Sequence, residues 1–165
     1  MTWMSRRKPW GHALLGIGIS LMLWGCQMPT PGTPLPPEEA RQLLCNRNWI
    51  DRLPQNEKEH LNVFRFVPHM GGGVFQDRTL FAGTFELFAF EHSGTQIRFD
   101  LLHKKEKKTV PYRIEALDKA KGPLDLRLVL DESPRGPSVY YGIRREGGTT
   151  LQELDAALAA LATQP

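Results

Sequence analysis

The chain of 165 residues contains only two cysteines, Cys26 and Cys45. At most one disulfide can form, so a disulfide framework does not organise this fold. No apolar run reaches the roughly 20 residues that a membrane-spanning helix needs. The front-end run "ALLGIGISLMLW" stops at Trp24. The first 25 residues hold no acidic side chain, and their three basic ones, Arg6, Arg7 and Lys8, account for the whole formal charge of +3. The remainder is balanced, with 18 basic against 18 acidic side chains. The basic character belongs to the front end and gives no argument for nucleic-acid binding.

Motifs of catalysis are missing too. There is no Gly-x-Ser-x-Gly, and Ser93, Ser133 and Ser138 sit in turn-like sequence. "HMGGGVF", from His69 to Phe75, lacks the lysine and the Ser/Thr of a phosphate loop and reads as a glycine turn between strands. His60, His69, His92 and His103 are scattered, with no His-x-His or His-x-x-x-His pair, whereas a metal needs three or four convergent ligands. Convergence of His69, His92 and His103 at one barrel rim is the minority alternative. The expectation is a protein that is not an enzyme, with no cofactor and no metal.

What is present begins with a basic stretch, a short apolar run and "GC". This is the layout of a secretory signal. "SRRKPW" carries a twin arginine, so ordinary and twin-arginine export both stay open. "LWGC", Leu23 to Cys26, resembles the lipobox of bacterial lipoproteins, although Trp24 occupies a position that is usually small. The resemblance implies cleavage before Cys26, a diacylglyceryl thioether on its sulfur and N-acylation. Two or more chains anchor a domain stably, where one does not. Gln27 follows the cysteine in place of an aspartate, which by the same resemblance favours the outer membrane, facing the periplasm. A free thiol in an uncleaved signal anchor is the alternative. If Cys26 is acylated, Cys45 is left as a single thiol, and its apolar neighbours point to a buried, inert role.

After the cut, Gln27 to Pro37 contains five prolines and reads as an extended, semi-rigid tether. The expected organisation is a signal over 1–25, a lipidated cysteine and tether over 26–37, and one domain over 38–165. Glu38 to Asn46 predicts a short helix with Pro37 at its start. Trp49 and Ile50 read as a plug or as the way into the core. From Leu61 the texture is that of strands: "NVFRFV", "GVFQD", "TLFAGTFELFAFEH", "QIRFDLLH", "VPYRIEAL", "LDLRLVLD" and "SVYYGI". Their period-2 alternation means one buried and one wet face. Gly83 is expected to bend the long Phe-rich run. "HSGTQ", "KKEKK", "KAKGP" and "ESPRGP" are turn-like joints, and their spacing predicts sequential antiparallel hairpins. Thr150 and Glu153 have capping-box spacing, and Leu151, Leu154, Leu158 and Leu161 form a stripe, so 150–162 is expected to be a helix packed outside the sheet.

A helix, a tryptophan, an up-and-down run of strands and a final helix resemble the lipocalin-like (calycin) architecture. The expected fold is therefore mainly β: an antiparallel meander closed into a small barrel, with seven recognisable strands against the eight of a full lipocalin. The glycine-x-tryptophan signature is absent, since Arg47 and Asn48 precede Trp49. The resemblance transfers no binding residues.

The aromatic cluster is the most informative internal feature. Phe88 and Phe90 share one side of their strand, and Phe85, Leu87 and Ala89 share the other. A strand apolar on both sides needs cover on both. One expectation is core inside and the C-terminal helix outside. The other is a cavity for a hydrophobic or lipid-like ligand, with Phe85, Phe88, Phe90, Phe99 and Tyr112 as candidate ligand-binding residues. Glu86, Glu91 and Asp100 are expected on solvated faces, and "HKKEKK" is a basic hairpin tip. The partners expected are a membrane through Cys26 and either a hydrophobic ligand or another envelope protein, the last acting on a filled barrel.

Overall fold

The computed structural model describes residues 32–117, 123–143 and 150–162. The expected signal, Cys26 and the first prolines of the expected tether lie outside them. The elements, in order, are β1 (Thr33–Pro34), α1 (Pro37–Leu44), β2 (Asn48–Ile50) and β3 (Leu61–Val67). A 3₁₀ turn, Pro68–Met70, leads into β4 (Gly72–Arg78), β5 (Gly83–His92) and β6 (Gln96–Leu101). Then come β7 (Glu106–Ala116), β8 (Leu124–Leu130), β9 (Val139–Ile143) and α2 (Leu151–Ala162).

Strands β2 to β9 each pair antiparallel with their neighbours in sequence, and β9 returns to pair with β2. The result is a closed eight-stranded up-and-down barrel, which removes free sheet edges. Short β1 lies beside the second half of β7, where β6 has ended, with Thr33 opposite Ala116 and Pro34 opposite Glu115. Thr33 and Pro34, inside the proline-rich stretch, thus pair into the sheet.

The eighth barrel strand is Asn48–Ile50, the segment read from sequence as a plug. Trp49 sits opposite Phe64 on one side and Gly142 on the other. Three residues are too few for alternation to show in a sequence. The long Phe-rich run forms one strand. Thr79 N–H donates to the Ala82 carbonyl at 2.8 Å, making a turn before it. Gly83 therefore opens β5 instead of bending it, and a Cβ there would lie 2.6 Å from the Cβ of Arg78 across the ladder. The glycine turn forms as expected, with Gly71 in the left-handed region at φ 73°.

The barrel has a helix end and a loop end. At the helix end α1 lies across the opening, burying Ala40 and Leu44 in the core. Pro37 opens this helix, where a missing N–H costs nothing. Trp49 Nε1–H donates to the Leu44 carbonyl at 2.9 Å, tying the helix end to β2. Helix α2 packs outside β2, β3 and the β8–β9 hairpin. Its Leu154 is buried against Ile50 and Leu124, with Leu158 and Leu161 beside Leu61, Tyr141 and Ile143. The capping box forms, with Glu153 N–H donating to Thr150 Oγ1 and Thr150 N–H to Glu153 Oε2.

Candidate functional site

Inward-facing positions of the barrel carry aromatic rings. Phe64 is central: the rings of Phe66, Phe75, Phe88, Phe99 and Tyr140 all have centroids within 6.0 Å of its own. Phe66 in turn meets Phe90 edge-on at 5.2 Å. Offset and edge-to-face contacts at such distances are favourable beyond the area they bury. A void able to hold water would leave accessible surface on the side chains lining it. Trp49, Phe66, Ile97, Phe99, Val110, Ile114, Leu128, Leu130 and Tyr140 have 0%. The centre of the barrel is filled to side-chain contact.

This places the candidate residues. Phe88, Phe99 and Tyr112 are brought together in that filled core, with Phe90 half-buried at its edge. Phe85 is not among them. It lies on the outer wall and is 70% exposed. Tyr112 Oη–H donates to the Ser93 carbonyl at 2.7 Å, and burial pushes its hydroxyl up to about 12.

Beneath α1, Cys45 Sγ lies 3.6 Å from His92 Nε2. No local spacing pairs a base with this thiol, because the two residues are 47 positions apart. Proximity does not activate it. Burial raises the Cys45 thiol to about 11, with Arg41 opposing only in part, and burial lowers His92, so both neutral forms are favoured. Among the described residues His92 Nδ1 is buried without a hydrogen-bond partner, so no hydrogen bond on that nitrogen holds the ring as a base.

At the loop end, residues 131–138 connect β8 to β9. Arg135 Nε–H and Nη2–H donate to the two oxygens of Glu86 at 2.7 and 3.0 Å. Glu86 sits opposite Phe75 in the ladder, on the inward face. Its expected place on a solvated face is corrected: it is the carboxylate at the barrel mouth, 18% exposed, held below the usual range chiefly by the Arg135 hydrogen bond. Tyr140 Oη–H donates to the Arg135 carbonyl at 3.1 Å, and Gly136, at φ 62°, leaves room beside that hydroxyl. Glu91 and Asp100 do face outward, paired with Arg98 and Lys107. The histidines do not converge on one rim. His69 and His92 belong to the helix end, whereas His103 is in the hairpin tip at the loop end, and His60 pairs with Asp77.

The outer wall of β3, β4 and β5 is apolar and exposed. The C-terminal helix does not cover the wall of β4 and β5, because α2 packs against β2, the first half of β3 and the β8–β9 hairpin. Leu87 is 54% and Leu102 57% exposed, and Met70 projects from the 3₁₀ turn beside them. Together with Val67, Val74 and Ala89 they line an open groove of about 580 Å³. The exposed Phe85 continues this face toward the loop end. The sequence showed that the strand was apolar on both sides. It did not show which element would cover the second side.

Among the described residues, no helix is long and apolar enough to cross a membrane. Comparison with protein-family models, curated proteins and solved structures found no match.

Proposed function

We propose that this chain is a lipid-anchored cell-envelope protein, held at Cys26, whose filled barrel is a non-enzymatic module that works through its outer surface. The observation that carries the reading is the contrast between inside and outside. Nine side chains that line the interior have no accessible surface, while large apolar side chains stand exposed on the wall of β5. A protein that carries cargo in its barrel needs space there, and a scaffold or assembly component needs a surface. The neutral balance beyond residue 25 speaks against a nucleic-acid partner. The signal and "LWGC" support the anchor, and Gln27 supports an outer-membrane address facing the periplasm.

Two experiments test this. Chemical cross-linking in intact envelopes is expected to give a defined product from the outer surface of the barrel, and diffuse products alone would sink the surface reading. Fractionation of the Cys26→Ala variant tests the anchor: loss from the membrane fraction is expected, and unchanged membrane association overturns the lipidation.

A further inference from the structure

The groove on the outer wall has a direction. Ladder register puts Arg65 of β3, Val74 of β4 and Leu87 of β5 in one row on the outer face. Leu102, just past the end of β6, extends the row beyond Leu87, since Leu101 is opposite Phe88. Three strand spacings of about 4.8 Å give a trough roughly 14 Å long. Its far end is Leu87 and Leu102. Its near end holds Arg65 and, from the 3₁₀ turn, His69. Gly71, Gly72 and Gly73 put no side chain into its floor, and a Cβ on Gly72 would lie 2.4 Å from the Phe88 carbonyl oxygen.

The charge around this trough has one sign. Among the described residues no carboxylate lines it. The nearest outward acid in register, Asp100 beside Ala89, is engaged by Lys107 at 3.5 Å. Arg65 donates to the amide oxygen of Asn48 at 3.4 Å, a weak contact, and among the described residues no carboxylate pairs with it. A guanidinium with free donors at one end of an apolar slot complements an anionic head on an apolar chain. The volume of about 580 Å³ lies within the range of small-molecule sites.

We propose that this groove binds a fatty acid, with its carboxylate at Arg65 and its acyl chain along Val74, Leu87 and Leu102. The site is on the outside of the barrel and rests on the reading above that the interior is filled. It gives the exposed wall of β5 a specific small-molecule occupant.

The test uses the full chain in phosphatidylcholine nanodiscs, labelled with a photoactivatable palmitate and, separately, with the matching neutral alcohol. The adducts are located by mass spectrometry. Labelling is expected on residues 65–74 and 87–102, and excess palmitate is expected to compete it away. Leu87→Glu, a change at an exposed position, should cut labelling about tenfold or more by placing a charge where the chain lies. Arg65→Gln should cut labelling by the acid several-fold and leave labelling by the alcohol unchanged. Labelling that does not saturate, or that survives Leu87→Glu, overturns the site. An equal response of acid and alcohol to Arg65→Gln overturns the carboxylate assignment. Adducts on Phe64 or Phe99 would instead overturn the filled interior. A co-purifying polypeptide that shields the groove, with no probe labelling, would assign the face to a protein.

Discussion

Arg135, in the loop between β8 and β9, grips Glu86 of β5 through two hydrogen bonds of 2.7 and 3.0 Å, although 49 residues separate them. The pair stands at the loop end of the barrel, where with Phe75 and His103 it lines an open pocket of about 350 Å³. Both side chains are mostly withdrawn from water, at 17% and 18% exposure. A bidentate guanidinium–carboxylate pair in such a place fixes a loop in one geometry. Pro134 and Pro137 restrict that loop further.

Removal of one partner strands the other charge at the barrel mouth. Arg135→Met is expected to cost about 1–3 kcal/mol, read by urea denaturation, and to raise amide exchange in 131–138 first. Glu86 sits below its ordinary value of 4.5 in the fold, so its contribution is present above that pH. It is lost as the pH falls through the lowered value. Between wild type and Glu86→Gln, the stability difference should therefore shrink on acidification below about pH 4.5. A gap that stays constant to pH 2 would show that the pair does not act through its charge.

How much of this was legible beforehand depends on range in sequence. The alternation of Leu126, Leu128 and Leu130, and the capping spacing of Thr150 and Glu153, are local patterns that the fold realises directly, whereas a bulge between Leu124 and Leu126 turns Leu124 outward against α2. Trp49 was visible as a core residue but not as a strand, because three residues carry no period. Glu86 reads as polar and wet by composition. Only the register that sets it opposite Phe75, and the return of Arg135, turn it inward. The same holds for Cys45 and His92, which meet through closure of the barrel and not through any spacing. For the outer groove, the double-sided apolarity of β5 was the available signal. Its openness followed from where α2 docks, which tertiary packing decides.

Phe64 is the ring on which the interior turns, with five aromatic neighbours. Phe64→Ala should destabilise the barrel by about 3–5 kcal/mol, since neighbouring rings relax only partly into the space. The same variant should gain saturable binding of a small apolar probe such as benzene, which the filled wild-type interior should refuse. Equal binding by both proteins would show that the wild-type barrel already holds room.

Alkaline pH should loosen the helix end before the rest. The thiol of Cys45 is raised from 9.0 to about 11, and the hydroxyl of Tyr112 from 10.0 to about 12, both mainly by burial. A group raised in the fold contributes fully below its unfolded value and loses that contribution as pH climbs through the folded one. Stability should fall from about pH 9 upward, and Cys45→Ala should remove the earliest part of that fall. In the native protein near pH 8 the thiol should react with iodoacetamide far more slowly than in urea. Native and unfolded rates that match would mean that Cys45 is not held under α1.

Helix α2 is joined to the barrel by one apolar stripe, and this makes its attachment separable from the barrel's own stability. Leu154 is the buried centre of that stripe, against Ile50 and Leu124, with Leu158, Leu161, Tyr141 and Ile143 partly buried in the same cluster. A charge at this position has no partner in the contact and must reach water by lifting the helix. Leu154→Asp is therefore expected to bring amide exchange over 151–162 close to that of an unfolded segment, while β4, β5 and β6 keep their protection. The outer face of β2, β3 and β8 would then be bare, and binding of a hydrophobic dye to that face should rise. If exchange increased together across the helix and all eight strands, α2 would be part of one cooperative unit with the barrel. Its stripe would then be as much core as the phenylalanines inside.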